Sequence, residues 1–173
     1  MSFSLSNSTR CPFGILVDTR EKIPFSFASM QMPIRGKMTE VEVETIDRCL
    51  GNNGGDYCVD GIDDVRIERK SLEDCYSTLA DREAFKRQLE FMNFAFRFSA
   101  VVIEASWEEV CNPADETWRS QLHPHSVVAT INSWRLRYPR VHWLTPGSRR
   151  AAEIVTFDLL RQAWRHSVEG KSI

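Results

Sequence analysis

Ile67-Glu68-Arg69-Lys70-Ser71-Leu72-Glu73-Asp74 is the stretch on which the reading of this chain turns, and Asp56 of Gly55-Asp56-Tyr57 lies twelve residues before Glu68. Glu68 and Lys70 are two apart in an apolar segment that reads as a strand, so both side chains project from one face. A carboxylate beside an ammonium, with a second carboxylate from a neighbouring segment, can hold a divalent ion and position a water. That is the minimum equipment for metal-assisted hydrolysis of a phosphodiester. Taken alone, Glu68-x-Lys70 would be an ion pair, Asp18 and Asp56 turn residues, and Asp74 a helix N-terminal acid favoured by the dipole. The conjunction of three acids on apolar segments with a lysine at this offset carries the reading.

The spacing between Asp56 and Glu68 sets a geometric condition. Asp60-Gly61 signals a two-residue hairpin turn, which would pair Val59 with Ile62 and Asp56 with Val65. Asp56 would then lie about 10 Å along the strand from Glu68. A longer loop centred on Ile62 pairs Asp56 with Glu68 instead. The chemistry needs the second register, so the turn signal is expected to be overridden.

Strands and helices alternate outward from this motif. Gly14–Asp18, Val41–Ile46, Asp56–Val59, Val65–Lys70, Ala100–Glu104 and Val141–Leu144 read as strands, and residues 25–40 as mostly loop. Ser71 and Ser106 open helices with capping-box patterns that include Asp74 and Glu109. A helix over Arg82–Phe98 places Phe85, Leu89, Met92 and Phe96 on one face, with further phenylalanines widening the apolar arc. Another starts at Pro124, shows Val127, Ile131, Trp134 and Tyr138 as a stripe, and stops at Pro139. Residues 148–166 form a last helix. The pattern predicts a three-layer α/β fold, a central mixed sheet flanked by helices.

The 173 residues, 42% hydrophobic, suffice for one domain with a sizeable core. Residues 1–12 read as a flexible lead without a signal-peptide core, 13–167 as the domain and 168–173 as a flexible tail. No apolar run approaches 18 residues, which argues against a membrane span. Five cysteines at 11, 49, 58, 75 and 111 lack metal or disulfide spacing and suit a cytoplasmic protein.

The net charge of −2 conceals an asymmetry. Residues 1–118 hold 13 basic against 21 acidic side chains, whereas 119–166 hold 8 arginines against 2 acids. Acids gather where a metal would sit. Arg135, Arg137, Arg149, Arg150, Arg161 and Arg165 could meet a phosphate backbone or form solvated helix faces. His123-Pro124-His125 reads as a helix start, since no partner stands at ligand spacing. Trp118 beside Arg119 could stack on a base but more simply packs on its own domain.

Val17-Asp18-Thr19-Arg20-Glu21, Gly55-Asp56-Tyr57, Ile67–Asp74 and Val101-Val102-Ile103-Glu104 together resemble, in order, the nuclease domain of the XPF family, with its GD…ERKxxxD signature. The resemblance covers about residues 14–160. It implies a restriction-endonuclease-like fold and a Mg²⁺- or Mn²⁺-dependent, structure-selective DNA endonuclease of DNA repair or recombination. Asp18, Asp56 and Glu68 would be catalytic metal ligands and Lys70 the catalytic lysine. Arg20, Glu21, Arg69 and Asp74 would support the site, and Arg82 would approach substrate phosphate or merely cap the second helix. Arg69 should point away from Glu68 and Lys70, into a scaffolding ion pair. Lys70 is expected to stay protonated, because surrounding acids oppose a lowered pKa. No helix-hairpin-helix segment follows, so the chain looks like the short stand-alone form of phage and bacteria, with DNA as partner and a homodimer through the wide apolar helix as a further expectation. A catalytically silent DNA- or protein-binding module partnering another nuclease subunit is the competing expectation.

Overall fold

The structure is a computed structural model and describes residues 9–114 and 122–170. Seven strands form one mixed sheet: β1 (Thr9–Asp18), β2 (Met30–Ile34), β3 (Lys37–Arg48), β4 (Tyr57–Val59), β5 (Ile62–Lys70), β6 (Phe98–Ile103) and β7 (Val141–Leu144). Their order is β2-β3-β1-β4-β5-β6-β7. β1 runs parallel to β3 and antiparallel to β4, while β5, β6 and β7 are mutually parallel neighbours. Among the described residues, five helices connect and cover them: α1 (Leu72–Ala80), α2 (Arg82–Ala95), α3 (Trp107–Cys111), α4 (Pro124–Arg137) and α5 (Arg149–Val168).

Helices lie on both faces, which gives the expected three layers. α5 packs against β1, β4, β5 and β6, closing a core with Phe13, Ile15, Val17, Tyr57, Ile67, Ala100 and Val102. On the other face, Val101 and Ile103 meet Tyr76, Leu79, Phe85, Leu89, Ile131 and Trp134 from α1, α2 and α4. β6 therefore buries alternate residues on both sides, which explains its unbroken apolar run. The helical stripes read from sequence lie inward: Phe85, Leu89, Met92 and Phe96, then Val127, Ile131, Trp134 and Tyr138, are all buried. Ser106 and Glu109 close a complete capping box, and the Ser71 hydroxyl accepts from the Asp74 amide at 3.0 Å.

Several boundaries differ from expectation. β1 begins at Thr9, so residues 9–12, expected in the lead, belong to the sheet, with Cys11 and Phe13 buried. Residues 25–40, expected as loop with room for a short strand, contain the five-residue β2, turned at Arg35-Gly36 with positive φ at both and paired with β3, which itself starts at Lys37 rather than Val41. α2 stops at Ala95, and Phe98 starts β6, where it pairs with Val65 and stacks on His142. α5 runs to Val168, one residue into the expected tail. Trp118 and Arg119 lie outside the described residues. No helix among the described residues is long and apolar enough to cross a membrane.

The β4–β5 hairpin corrects a sharper expectation. Asp60-Gly61 does close the tight turn: Val59 pairs with Ile62, and Gly61 takes φ +79°. The register then shifts, because Tyr57 pairs with Ile67. Two steps on β4 thus correspond to five on β5, and just before Tyr57 the Asp56 amide donates to the carbonyl of Ile67, the residue preceding Glu68, at 2.7 Å. The tight turn and the approach of Asp56 to the end of β5 coexist because residues 63–66 leave β4. Val65 and Arg66 pair with β6 instead, and the Arg66 guanidinium lies 4.8 Å from the Phe96 ring centre.

Gly55 makes that register possible. It sits at φ +74°, and a Cβ there would stand 3.0 Å from the Ile67 carbonyl oxygen, the acceptor of the Asp56 amide at 2.7 Å. Gly55→Ala is expected to cost about 1–2 kcal/mol for the left-handed backbone alone, read as a lower midpoint in urea denaturation. An unchanged midpoint would mean that the tight approach of this loop to β5 is not needed.

Candidate functional site

The site forms where β1 and β5 end. Asp18 is the last residue of β1, Asp56 immediately precedes β4, and Glu68 and Lys70 end β5. With Arg20, Glu21, Arg69, Asp74 and Gln88, they line an open cleft of about 390 Å³. Adjacent backbones tie the three segments together, since the Asp18 amide donates to the Asp56 carbonyl at 2.8 Å.

Glu68 and Lys70 face the α1–α2 layer. The Lys70 ammonium donates to Glu68 Oε1 at 2.6 Å and lies 4.9 Å from the centre of the Phe85 ring. Gln88 Nε2 donates to Glu68 Oε2, also at 2.6 Å. Burial would push Lys70 down, but the Glu68 charge and hydrogen bond, joined by Asp56 and Asp74, outweigh it and raise its pKa. The geometry thus holds Lys70 as an ammonium paired with Glu68. Asp74, third residue of α1, contributes to that field from the cleft wall.

Arg69 projects the other way, toward α5. Its guanidinium engages Glu21 through two bonds at 3.1 and 3.2 Å and Glu104 at 3.0 Å. Glu104 in turn pairs with Arg149 at 2.5 Å, and Arg149 also donates to the Ile23 and Pro24 carbonyls. This chain of alternating charges, Glu21–Arg69–Glu104–Arg149, fixes β5 between the loop after β1 and the start of α5. The Arg69 amide donates to Asp56 Oδ2 at 2.7 Å, so the same residue orients the neighbouring carboxylate through its backbone.

Asp18 is where expectation and structure part. It is only 2% exposed. Its Oδ1 accepts from the Arg20 amide and from Arg20 Nε, both at 2.8 Å; its Oδ2 accepts from Arg20 Nη2 at 3.1 Å and from the Leu50 amide at 2.7 Å. Burial alone would push this carboxyl up, but Arg20 and the two amides together hold it below its ordinary value. Arg20 also reaches the Gly51 carbonyl and Asn52, clamping the loop that leads to Asp56. The three acids expected to share an ion are therefore not gathered as a ready cage. Among the described residues, no group of three or more His, Cys, Asp or Glu side chains is arranged to hold a metal. Asp56 and Glu68 are brought together; Asp18 lines the same cleft with both oxygens engaged.

The Asp56–Glu68 pair nonetheless suits a hard divalent cation. Burial pushes the Asp56 carboxyl well above its ordinary range, and the charges of Glu68 and Glu21 push it further, against the opposing Arg69 amide and Lys70. Oxygen donors that repel one another in a half-buried cleft are stabilised by a cation between them. Mg²⁺ needs only one or two carboxylates because it keeps several waters.

Arg82 stands apart from this cleft: its Nε caps the Leu79 carbonyl at 3.2 Å, and its side chain borders a groove between α2 and α4. Sequence reasoning missed Gln88, Glu104 as an ion-pair partner, and Arg149. Gln88 had a signal, since it falls at helical spacing between Phe85 and Met92, a polar residue inside an apolar stripe. Glu104 and Arg149 had none, because their partnership spans 45 residues.

The sequence matches no protein-family profile and no curated protein. Among solved structures it is similar to XPF from Aeropyrum pernix, with a TM-score of 0.60 and 19% identity over 86% of this chain and 65% of that one. It is similar also to XPF from Aeropyrum pernix in complex with DNA, with a TM-score of 0.57 and 19% identity over 91% of this chain and 66% of that one. The chain spans just under two thirds of the length of these proteins. At this identity the likeness establishes the fold: a mixed seven-stranded sheet with helices, as in an XPF nuclease domain.

The folded protein holds the Asp56 proton more tightly than the unfolded chain does, so ionising Asp56 destabilises the fold as pH rises past the ordinary Asp value near ~3.9. Asp56→Asn is therefore expected to raise the metal-free Tm at pH 7, by roughly 2–4 °C for each kcal/mol relieved. Added Mg²⁺ or Mn²⁺ should raise the Tm of the wild type but not of the variant. A lower metal-free Tm for Asp56→Asn in thermal scans would refute the strained carboxylate pair.

Proposed function

We propose that this chain is a divalent-metal-dependent DNA endonuclease that hydrolyses phosphodiester bonds, with a preference for branched, flap or junction DNA. The observation that carries the reading is the assembly of Asp56, Glu68 and a protonated Lys70 at the strand ends, in an open cleft on an XPF-like fold. Asp56 and Glu68 would hold Mg²⁺ or Mn²⁺. The ion, when bound, would provide Lewis-acid activation of the phosphate and a water of lowered pKa. Lys70, anchored by Glu68, would place positive charge beside the reacting phosphate as its oxygens gain charge. Gln88 would keep Glu68 in one rotamer, and Arg69 would keep Asp56 aimed into the cleft through its amide. Asp18 would become a third ligand only by releasing Arg20. In the arrangement described here it secures the loop that carries Asp56.

The likeness to a structure solved in complex with DNA supports the choice of substrate. All five cysteines are free thiols, which suits a reducing cytoplasm. A homodimer belongs to the same reading, because Phe91 and Phe94 are 46% and 82% exposed on α2 and a partner copy would cover them. Light scattering that finds a monomer at high protein concentration would remove that element.

The second reading, a catalytically silent DNA- or protein-binding module, is favoured by one observation: Arg20 and the Leu50 amide occupy both Asp18 oxygens. Incubation with flap, fork and duplex DNA plus Mn²⁺ separates the two. Cleavage is expected, with Asp56→Ala and Glu68→Ala each lowering the rate by at least 10²-fold, about 2.7 kcal/mol of barrier. Binding without cleavage on every substrate would establish the module.

A further inference from the structure

We infer a second nucleic-acid contact, separate from the acidic cleft, in the groove between α2 and α4. The groove has a volume of about 510 Å³, and Arg82, Lys86 and Arg137 line it with the Ser126 and Ser133 hydroxyls, above a buried Trp134. Its ligand is the sugar-phosphate backbone of the DNA strand that continues beyond the scissile bond. This extends the nuclease reading by adding a binding track to it, and it stands or falls on a different measurement.

Three observations point to phosphate. The lining combines two guanidinium groups and an ammonium with hydroxyl donors, the side chains that contact phosphate and sugar without reading sequence. One acid, Glu83, also lines the groove, but it stands 3.8 Å from Lys86; Glu90 stands 3.9 Å from Arg137. Both are long contacts, and exposed pairs of this kind are weak and screened by salt, so an arriving phosphate can displace them. Four other arginines of the C-terminal half are more tightly held. Arg149 and Arg150 bind Glu104 and Glu153 at 2.5 and 2.6 Å, Arg161 binds Asp158 at 2.5 Å, and Arg135 stacks on Trp107.

Position favours a nucleic acid over an acidic peptide. α2 is the wall shared by both sites: Gln88 reaches Glu68 from one side, while Arg82 and Lys86, one turn apart, border the groove on the other. A helix with its side chains is about 10–12 Å across, roughly three nucleotide steps at ~3.4 Å each. A strand seated in the cleft therefore reaches the groove with its next few phosphates. An acidic peptide has no such reason to lie beside the cleft.

The test uses the full chain with Lys86→Ala, Arg137→Ala and the double variant, and fork DNA whose affinity is followed by fluorescence anisotropy between about 50 and 200 mM KCl. Each lost contact is expected to flatten the slope of log affinity against log salt by roughly 0.7–0.9, so the double variant loses about twice that. Hydrolysis of bis(p-nitrophenyl) phosphate with Mn²⁺, a diester too small to reach the groove, should be unchanged. Glu83→Gln should strengthen DNA binding, which keeps the inference testable should an alanine variant fold poorly. Unchanged slopes and affinities would overturn it, as would an equal loss in Arg165→Ala on α5, or loss of polyglutamate binding with DNA binding intact. Should the wild type cleave neither DNA nor the small diester while the salt slopes still fall, the groove stands and the nuclease reading is the part that fails.

Discussion

The arrangement of the cleft depends on the hydrogen bond from the Asp56 amide to the Ile67 carbonyl. It ties the residue before β4 to β5 after the register has shifted, and so brings Asp56 into the cleft with Glu68. A regular ladder from the Asp60-Gly61 turn would leave these acids apart. A longer turn would bring them together at the expense of a tight hairpin. The protein keeps the turn and lets residues 63–66 leave β4, with Val65 and Arg66 paired to β6. Bulges of this sort bend a strand and re-aim its side chains, which is why they recur beside functional sites. Gly54 and Gly55 allow the loop to lie against its neighbours, where a Cβ would meet the Leu50 or Ile67 backbone.

Charge is then distributed with a clear division. Asp18 with Arg20, and Glu21 with Arg69, Glu104 and Arg149, form ion pairs that satisfy buried groups and hold loops in place. Buried charges are tolerated only when paired and hydrogen-bonded, and both networks meet that condition. Asp56 and Glu68 differ in kind. They are like charges held side by side, relieved in part by Lys70 and the Arg69 amide. The ion-paired acids have cationic partners of their own, whereas Asp56 and Glu68 share Lys70 and face the open cleft. In this way the supporting network confers chemical character on the two acids it does not neutralise.

The charge asymmetry of the sequence acquires a different meaning in the fold. An excess of arginines in the C-terminal half suggested a phosphate-binding face. Most of these arginines instead tie α5 to the loop after β1 or to acids on their own helix. Arg150, for example, reaches the Ala28 and Ser29 carbonyls while pairing with the buried Glu153. Glu153 itself accepts from the Phe27 amide at 2.6 Å, in a loop where Phe27 and Ser29 adopt positive φ. Net charge over a segment speaks to its average field; partners within hydrogen-bond reach decide which charges remain available.

By itself the sequence determined the alternation of strands and helices, the buried stripes of α2 and α4, the capping box of α3 and the layered α/β architecture. Periodicity, caps and prolines act over a few residues, so they are legible without the fold. It also marked Asp18, Asp56, Glu68 and Lys70 as residues that belong to one cleft. Tertiary structure alone decided what each does there. It kept the Asp60-Gly61 turn and shifted the register beyond it, engaged Asp18 with Arg20 and the Leu50 amide, and joined Glu104 to Arg149 across 45 residues. It also placed Gln88 on Glu68. These outcomes follow from pairing energies between groups distant in the chain, where a shift of one residue reverses a face and a few tenths of a nanometre make or break an ion pair. Local pattern carries no record of either.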